Sequence, residues 1–237
     1  MHRLVRVVTA AVVLSVCAVV TASCRSEGQD PAPGAFRAQP LGPEELRAAM
    51  PSGRQLPGYL VGQPEGRPGG QQNGAARATL TPDSPPACQK FVDFMWEDAE
   101  HRPTADLRAA VRPAGDPSGR LDLKRLHSLR LASYTVDEAT AVMEGLKRAL
   151  PLCKEFVAYT LMFGDQDVRV VVKPGPAAGA GDDSVVFTWT TPGLPLNEPS
   201  RTTVVRTRGV LATYHGAVPA SVPRGQHEKL LAASAAG

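Results

Sequence analysis

The chain has 237 residues, of which 26 are lysine or arginine and 23 are aspartate or glutamate, so its charges nearly balance. This balance, an aromatic content of 5% and the lack of any dense basic cluster argue against a nucleic-acid-binding surface. The length suits one domain with small appendages.

Residues 1–23 are predicted to form an export signal. Arg3 and Arg6 give the segment a basic start, and residues 7–20 follow without any charge. This apolar run is shorter than the about 20 residues that a membrane-spanning helix needs. Cleavage therefore fits the pattern better than a permanent transmembrane anchor.

Cys24 is the expected site of lipid attachment. It follows residues 20–23, Val-Thr-Ala-Ser, which resemble the lipobox of bacterial lipoproteins, whereas Cys17 follows the bulky Val16. Lipid on Cys24 would hold the protein on the extracytoplasmic face of the cell membrane, because paired acyl chains anchor a protein stably. The alternative is an ordinary secretory peptide cut near the same place, with Cys24 an incidental thiol.

The mature chain is predicted to start with a flexible linker, since residues 24–42 are rich in glycine, proline and polar side chains. A capping box at residues 135–138 opens the most regular helical pattern, and residues 126–134 alternate like a half-buried strand. Residues 101–124 are expected to be helical in part but broken by Pro103, Pro113 and Pro117, and to form variable surface. Further expected elements are helices at 43–50, from 83 and at 224–233, a loop at 62–78 and a turn into a strand at 56–61. Strands are expected at 155–163, 167–173 and 184–191, with a pair of strands bent at Gly209 within 202–214.

This order of elements predicts one α+β domain over residues 43–237, in which helices flank an antiparallel sheet. Cys88 and Cys153 remain after cleavage and lipidation, and in an oxidising compartment such a pair is most simply a disulfide. A metal site or a redox pair would need a Cys-x-x-Cys spacing or nearby histidines, and neither cysteine has them.

Several short motifs match a known family. They are Leu-Pro-Gly-Tyr at 56–59, Pro-Ala-Cys at 86–88, Arg-Leu-Ala-Ser-Tyr at 130–134, Leu-Cys-Lys at 152–154, and the closing strand and helix within 210–230. In these motifs the chain resembles the extracellular sensor domain of PknH-type mycobacterial serine/threonine protein kinases and actinobacterial lipoproteins built on it. The resemblance implies an antiparallel sheet flanked by helices around a cleft that binds an extracellular ligand. The kinase sensors usually have two disulfides, whereas this chain can form one.

Enzymatic motifs are not found in the sequence. It lacks the Gly-x-Ser-x-Gly, His-Glu-x-x-His and Gly-x-x-x-x-Gly-Lys patterns. His127 and His215 lie on predicted strands and could meet in space, and a hydrolase would need one of them close to a serine or a carboxylate. We therefore expect no enzyme activity, no catalytic residues, no metal and no cofactor.

Two functional hypotheses remain. The first is a membrane-anchored module that binds or senses an unidentified small-molecule or envelope ligand in an apolar cleft lined by Phe187, Trp189 and Tyr214. The second is a cell-envelope scaffold whose exposed sheet face or edge docks another membrane or cell-wall protein. A deep apolar cavity would favour the first hypothesis, and a flat exposed apolar patch would favour the second.

Overall fold

Ten β-strands and four α-helices make up the part of the chain that the computed structural model describes, namely residues 39–67, 78–96, 101–115, 124–160, 166–194 and 198–235. The strands are β1 (Tyr59–Val61), β2 (Glu65–Arg67), β3 (Thr79–Leu80), β4 (Ala105–Pro113), β5 (Ser128–Ser133), β6 (Glu155–Thr160), β7 (Gln166–Pro174), β8 (Asp183–Thr190), β9 (Ser200–Thr207) and β10 (Val210–His215). The helices are α1 (Pro43–Ala49), α2 (Gln89–Trp96), α3 (Val136–Ala149) and α4 (Ser221–Ala235). The predicted signal peptide and most of the predicted linker lie outside the described residues.

All strands join one antiparallel sheet in the order β1-β4-β5-β10-β9-β8-β7-β6-β3, with β2 also paired to β4. Strands β6 to β10 form a meander of hairpins, and β5 lies between β4 and β10. The predicted α+β domain with helices flanking an antiparallel sheet is confirmed.

The sheet separates two hydrophobic cores because successive side chains of a strand point to opposite faces. On one face α2 and α3 pack against the sheet, and on the other face α1 and α4 pack against it. The first core includes Phe91, Met143, Leu146, Phe156, Val170, Phe187, Val204 and Leu211. The second core includes Leu46, Leu107, Leu129, Leu131, Val205, Tyr214 and Leu230. Both faces of the central strands are therefore buried.

The helix α3 starts at the predicted capping box. The Thr135 hydroxyl oxygen accepts a hydrogen bond from the Glu138 amide at 3.2 Å, and the Glu138 carboxylate accepts one from the Thr135 amide at 3.1 Å. Hydrogen bonds from the Thr135 hydroxyl and amide lower the pKa of Glu138. Both orphan backbone donors at this helix start are thus paired locally, as the sequence predicts.

A disulfide joins Cys88 to Cys153, with 5.3 Å between their Cα atoms, and this prediction is confirmed. It ties a single 3-10 turn (Pro86–Cys88), which leads into α2, to the segment that follows α3. One turn further along, the Phe91 ring packs edge-on against Phe187 at 4.6 Å between centroids and against Phe156 at 6.0 Å. The crosslink therefore closes the helical layer over the first core.

The structure departs from the sequence prediction at β4. Residues 101–124 were expected to be variable surface, yet Ala105–Pro113 is a nine-residue strand in the sheet. The apolar side chains Ala105, Leu107, Ala109 and Val111 alternate along it and are all buried. Because Ala105 and Ala109 are small and only weakly apolar, the alternation is weak on hydropathy alone, and the flanking prolines mark the ends of the strand.

A tight turn follows β10 at Gly216, whose φ of 97° lies in the region that disfavours side chains. The Gly216 amide donates a hydrogen bond to the Arg201 carbonyl oxygen at 2.6 Å. A Cβ atom at this position would overlap the carbonyl oxygen and carbon of Arg125. Only glycine fits this close approach of two backbone segments.

Candidate functional site

A set of polar side chains crosses the sheet on the face that carries the first core. We call it the polar strip, and it consists of Asp106 and Arg108 on β4, Arg130 on β5, His215 on β10, Thr202 on β9 and Trp189 on β8. The strand register places them on one face. Arg108 lies opposite Arg130, Arg130 opposite Thr213, His215 opposite Thr202, and Thr202 opposite the first-core residue Phe187.

An ion pair lies at one end of the polar strip. The Arg130 guanidinium donates two hydrogen bonds to the Asp106 carboxylate, from Nε and from Nη2, each at 2.9 Å. The two side chains are only 10% and 8% exposed, respectively. Burial opposes the charge on Arg130, but the adjacent Asp106 carboxylate more than offsets this effect and raises the pKa of Arg130. The Arg130 guanidinium therefore keeps its charge inside the fold.

Tyr134 lies beside this pair, and burial raises the pKa of its hydroxyl, so the hydroxyl is protonated at neutral pH.

A short chain of hydrogen bonds lies at the other end. The Trp189 indole nitrogen donates to the Thr202 hydroxyl oxygen at 3.3 Å. The same hydroxyl oxygen is 3.4 Å from Nδ1 of His215. Thr202 is almost fully buried, whereas Trp189 and His215 are partly exposed. The chain thus leads from the half-buried indole to the imidazole.

The polar strip is rich in basic groups around His215. Burial lowers the pKa of His215 to about 3, and the neighbouring basic groups His127, Arg108 and Arg130 lower it further in the same direction. The rings of His127 and His215 lie 6.2 Å apart, so the two predicted strand histidines do approach each other. His215 is consequently a neutral imidazole in a basic environment, unlike the histidine of a hydrolase, which a carboxylate orients.

The aromatic residues proposed from the sequence lie on two opposite faces of the sheet. Phe187 is fully buried in the first core. Trp189 is partly exposed, packs against the same first core and belongs to the polar strip. Tyr214 is fully buried in the second core, on the opposite face of the sheet, where burial raises the pKa of its hydroxyl. The structure therefore does not bring Phe187, Trp189 and Tyr214 to one surface.

Sequence reasoning missed most of the polar strip. Asp106 and Arg108 lie on strand β4, which the sequence did not predict, so the face of the sheet to which their side chains point could not be predicted either. The side of the sheet on which Arg130 lies could be predicted from the sequence. A charged residue between Leu129 and Leu131 in an alternating strand occupies the face opposite to the leucines. Thr202 carried no such signal, since threonine is common in strands of any exposure.

Two further histidines of the described ranges lie apart from the polar strip. His227 on α4 contacts the Thr207 hydroxyl through Nδ1 at 2.8 Å, on the second-core face. His101 lies near Glu138 at the start of α3 and helps to lower the pKa of that carboxyl. Across the described ranges, no group of three His, Cys, Asp or Glu side chains is arranged to hold a metal ion.

In the described segments, none of the helices has the length and apolar character needed to cross a membrane. Comparison with protein-family models and with curated proteins finds no match for this chain.

Proposed function

We propose that the protein is an extracytoplasmic lipoprotein, anchored through Cys24, whose folded domain binds a ligand at the polar strip. The observation that carries the proposal is the placement of Arg108 directly opposite Arg130, in a face that also holds the first core. Like charges directly opposite each other on neighbouring strands destabilise a sheet. The Asp106–Arg130 pair offsets part of this repulsion, so the face keeps charged groups where apolar packing would be simpler, a grouping that is typical of functional sites.

The geometry of the polar strip supports binding more than catalysis. The hydrogen bonds to Asp106 fix the position of the Arg130 guanidinium. The hydrogen bond from the Trp189 indole to the Thr202 hydroxyl fixes these two side chains next to His215. Rigid polar groups on strands, with an aromatic ring at one end, are typical of sites that orient a small molecule. His215 has basic neighbours, and its bonded partner is the Thr202 hydroxyl. Within the part of the chain that the structure describes, this setting differs from a Ser-His-Asp triad, in which a carboxylate orients the histidine.

The lipid anchor is supported by two independent features of the chain. Residues 20–24 resemble a lipobox, and the preceding segment has the layout of an export signal. The Cys88–Cys153 disulfide fits a protein that folds in an oxidising compartment. On this proposal the protein acts on the extracytoplasmic face of the cell membrane and contacts the membrane through its lipid.

The binding role is tested by native mass spectrometry of the full lipoprotein, released in detergent from its own membrane. We expect a bound small molecule on the wild type and on Arg112→Gln, and loss of that molecule from Arg108→Gln. Arg112 is the matched control because it is an exposed arginine on the same strand. Repeatedly empty wild-type spectra would contradict the binding role, and a bound protein in place of a small molecule would support the alternative scaffold function.

The anchor is tested by labelling cells with an alkyne fatty acid. We expect label on the wild type and on Cys17→Ala, and none on Cys24→Ala. Cys17 serves as the control because it lies within the segment that cleavage would remove. Equal labelling of the wild type and Cys24→Ala would refute lipidation at Cys24.

A further inference from the structure

We propose that the folded domain makes a second contact with the membrane, besides the lipid on Cys24, through one open face of the sheet that docks on anionic lipid headgroups. The open face consists of Val157 and Tyr159 on β6, Val171 and Lys173 on β7, Thr188 on β8 and Arg201 on β9. This inference rests on the proposed lipid anchor and adds the surface of the domain that faces the bilayer.

The first step is the exposure of the open face. The side chains that alternate with it along β6, β7 and β8 point into the first core, so the open face lies on the opposite side of the sheet. On that side α4 packs against β9 and β10, and α1 packs against β4. Tyr159 is 40% exposed, and Val157, Val171 and Thr188 are partly exposed. This half of the sheet therefore presents apolar side chains to solvent.

The second step is the charge of the open face. The strand register places Lys173, Thr188 and Arg201 in one row across β7, β8 and β9. Lys173 and Arg201 are both exposed, and neither has an acidic partner among the described residues. The nearby Arg169, by contrast, is paired with Glu155 at 2.8 and 2.9 Å. The row is therefore a cationic end of the open face.

A carboxylate on the same side of β7, that of Asp167, lies far from this row. From Asp167 to Lys173 the extended strand covers about 20 Å. The screening length at physiological ionic strength is about 8 Å, so Asp167 does not neutralise the cationic row. Anionic headgroups match the row in charge, and the partly exposed tyrosine and valines suit the boundary between headgroups and acyl chains.

The third step is the choice of occupant. The open face covers four strands spaced about 4.8 Å apart and about 20 Å of strand length, so its area is about 300 Å². A stable interface between two protein molecules buries about 800 Å² on each partner. The open face is too small to hold a lasting dimer by itself, whereas a membrane contact of this size adds to an anchor that is already in place.

The lipid anchor makes a weak contact sufficient. Between Cys24 and the first described residue, Gln39, the chain reaches at most about 50 Å. A domain of this size is about 40 Å across, so the bilayer lies within reach of the open face. Attachment at Cys24 keeps the lipid at a high local concentration, so docking requires only a small binding constant.

Docking of the open face is compatible with a ligand at the polar strip. The polar strip lies on the face of the sheet that carries the first core, opposite to the open face. A membrane against the open face therefore leaves the polar strip turned toward the extracytoplasmic space.

The contact is measured on the full lipoprotein reconstituted in nanodiscs, with ¹³C-labelled valine methyl groups. The discs contain phosphatidylglycerol or phosphatidylcholine, and a small share of lipid with a paramagnetic headgroup, which speeds the relaxation of nearby protons. We expect strong enhancement at Val157 and Val171 on phosphatidylglycerol discs and little on phosphatidylcholine discs. Val136 is the matched control, because it is 37% exposed but lies on α3, over the first core.

Two double variants test the cationic row. Lys173→Gln with Arg201→Gln removes both of its charges, and each cation near an anionic membrane surface strengthens binding about fivefold. We therefore expect the enhancement at the two valines to fall at least fivefold. Arg54→Gln with Arg112→Gln removes the same net charge from exposed positions outside the open face and should leave the enhancement unchanged.

The outcomes separate the docking from the anchor. No enhancement at Val157 and Val171, equal enhancement on both kinds of disc, or an equal loss in the two double variants overturns the docking. Valine signals that shift with protein concentration and not with lipid identify a second copy as the occupant, which also overturns it. Lipoprotein that stays in the discs without enhancement at the open face refutes the docking alone, whereas absence of fatty-acid label on the wild type refutes the anchor and the docking together.

Discussion

Replacement of Asp106 by asparagine tests the buried ion pair of the polar strip most directly. The substitution preserves the shape of the side chain but leaves the Arg130 guanidinium without its counter-charge. Because the two side chains are only 8% and 10% exposed, water can do little to solvate the remaining charge. We expect Asp106→Asn to fold but to be markedly less stable than the wild type.

The size of this effect follows from the geometry of the pair. Removing one partner of a buried ion pair typically costs about 3–5 kcal/mol. Asparagine keeps one carbonyl oxygen, which can still accept one of the two hydrogen bonds at 2.9 Å. We therefore expect a loss of about 3 kcal/mol in the free energy of unfolding. With a urea dependence of about 2 kcal/mol per molar, the unfolding midpoint should fall by about 1.5 M.

Urea unfolding monitored by circular dichroism, with the disulfide kept oxidised, measures this loss. The matched control is Glu155→Gln, because Glu155 and Arg169 form a bidentate cross-strand pair of the same kind at 2.8 and 2.9 Å, but both are about half exposed. Its midpoint should not change measurably. If Asp106→Asn also leaves the midpoint unchanged, the pair is not buried in solution and the account of the polar strip is wrong.

Three further perturbations have defined outcomes. Cys88→Ser with Cys153→Ser opens a loop of 65 residues and should lower the free energy of unfolding by about 4 kcal/mol on the chain-entropy model, as seen in urea under identical buffer conditions. His215→Gln should flatten the acid side of the stability profile. Between the unfolded pKa of about 6.5 and the folded pKa of about 3, the unfolded chain binds the proton more readily, so wild-type stability falls with falling pH. Gly216→Ala should prevent folding or destabilise the protein strongly, since the new Cβ overlaps backbone atoms, whereas Gly225→Ala in α4 meets no atom and should be neutral or stabilising in thermal melts.

Local sequence signals predicted the helices and the β6 to β10 meander. The capping box at Thr135 and Glu138 and the glycine- and proline-rich turns act through neighbouring residues, so their geometry follows from residue type. The Cys88–Cys153 disulfide joins residues that are 65 apart in sequence, and it was predictable because these two cysteines form the remaining pair. The strand β4 was missed because its alternation rests on Ala105 and Ala109, whose burial depends on partners far away in the chain.

The candidate site was harder to predict than the fold. Phe187 and Tyr214 are residue types that often line ligand pockets. In a sheet that is covered on both faces, however, such apolar side chains pack into the two hydrophobic cores. The polar strip depends instead on which residues face each other across strands, and Arg108, Arg130 and His215 come from three separate stretches of the chain. Only the strand register brings them together, and register is not visible in one sequence.

The alternation of β5 has a consequence for how the sheet assembles. Leu129 and Leu131 point into the second core, and Arg130 points to the opposite face, toward Asp106. A shift of one residue in the pairing of β5 would bury the Arg130 guanidinium among aliphatic side chains and leave the Asp106 carboxylate without its partner. It would also move Leu129 and Leu131 to the opposite face of the sheet. The ion pair and the burial of the two leucines therefore both favour the observed register of β5 over a shifted one.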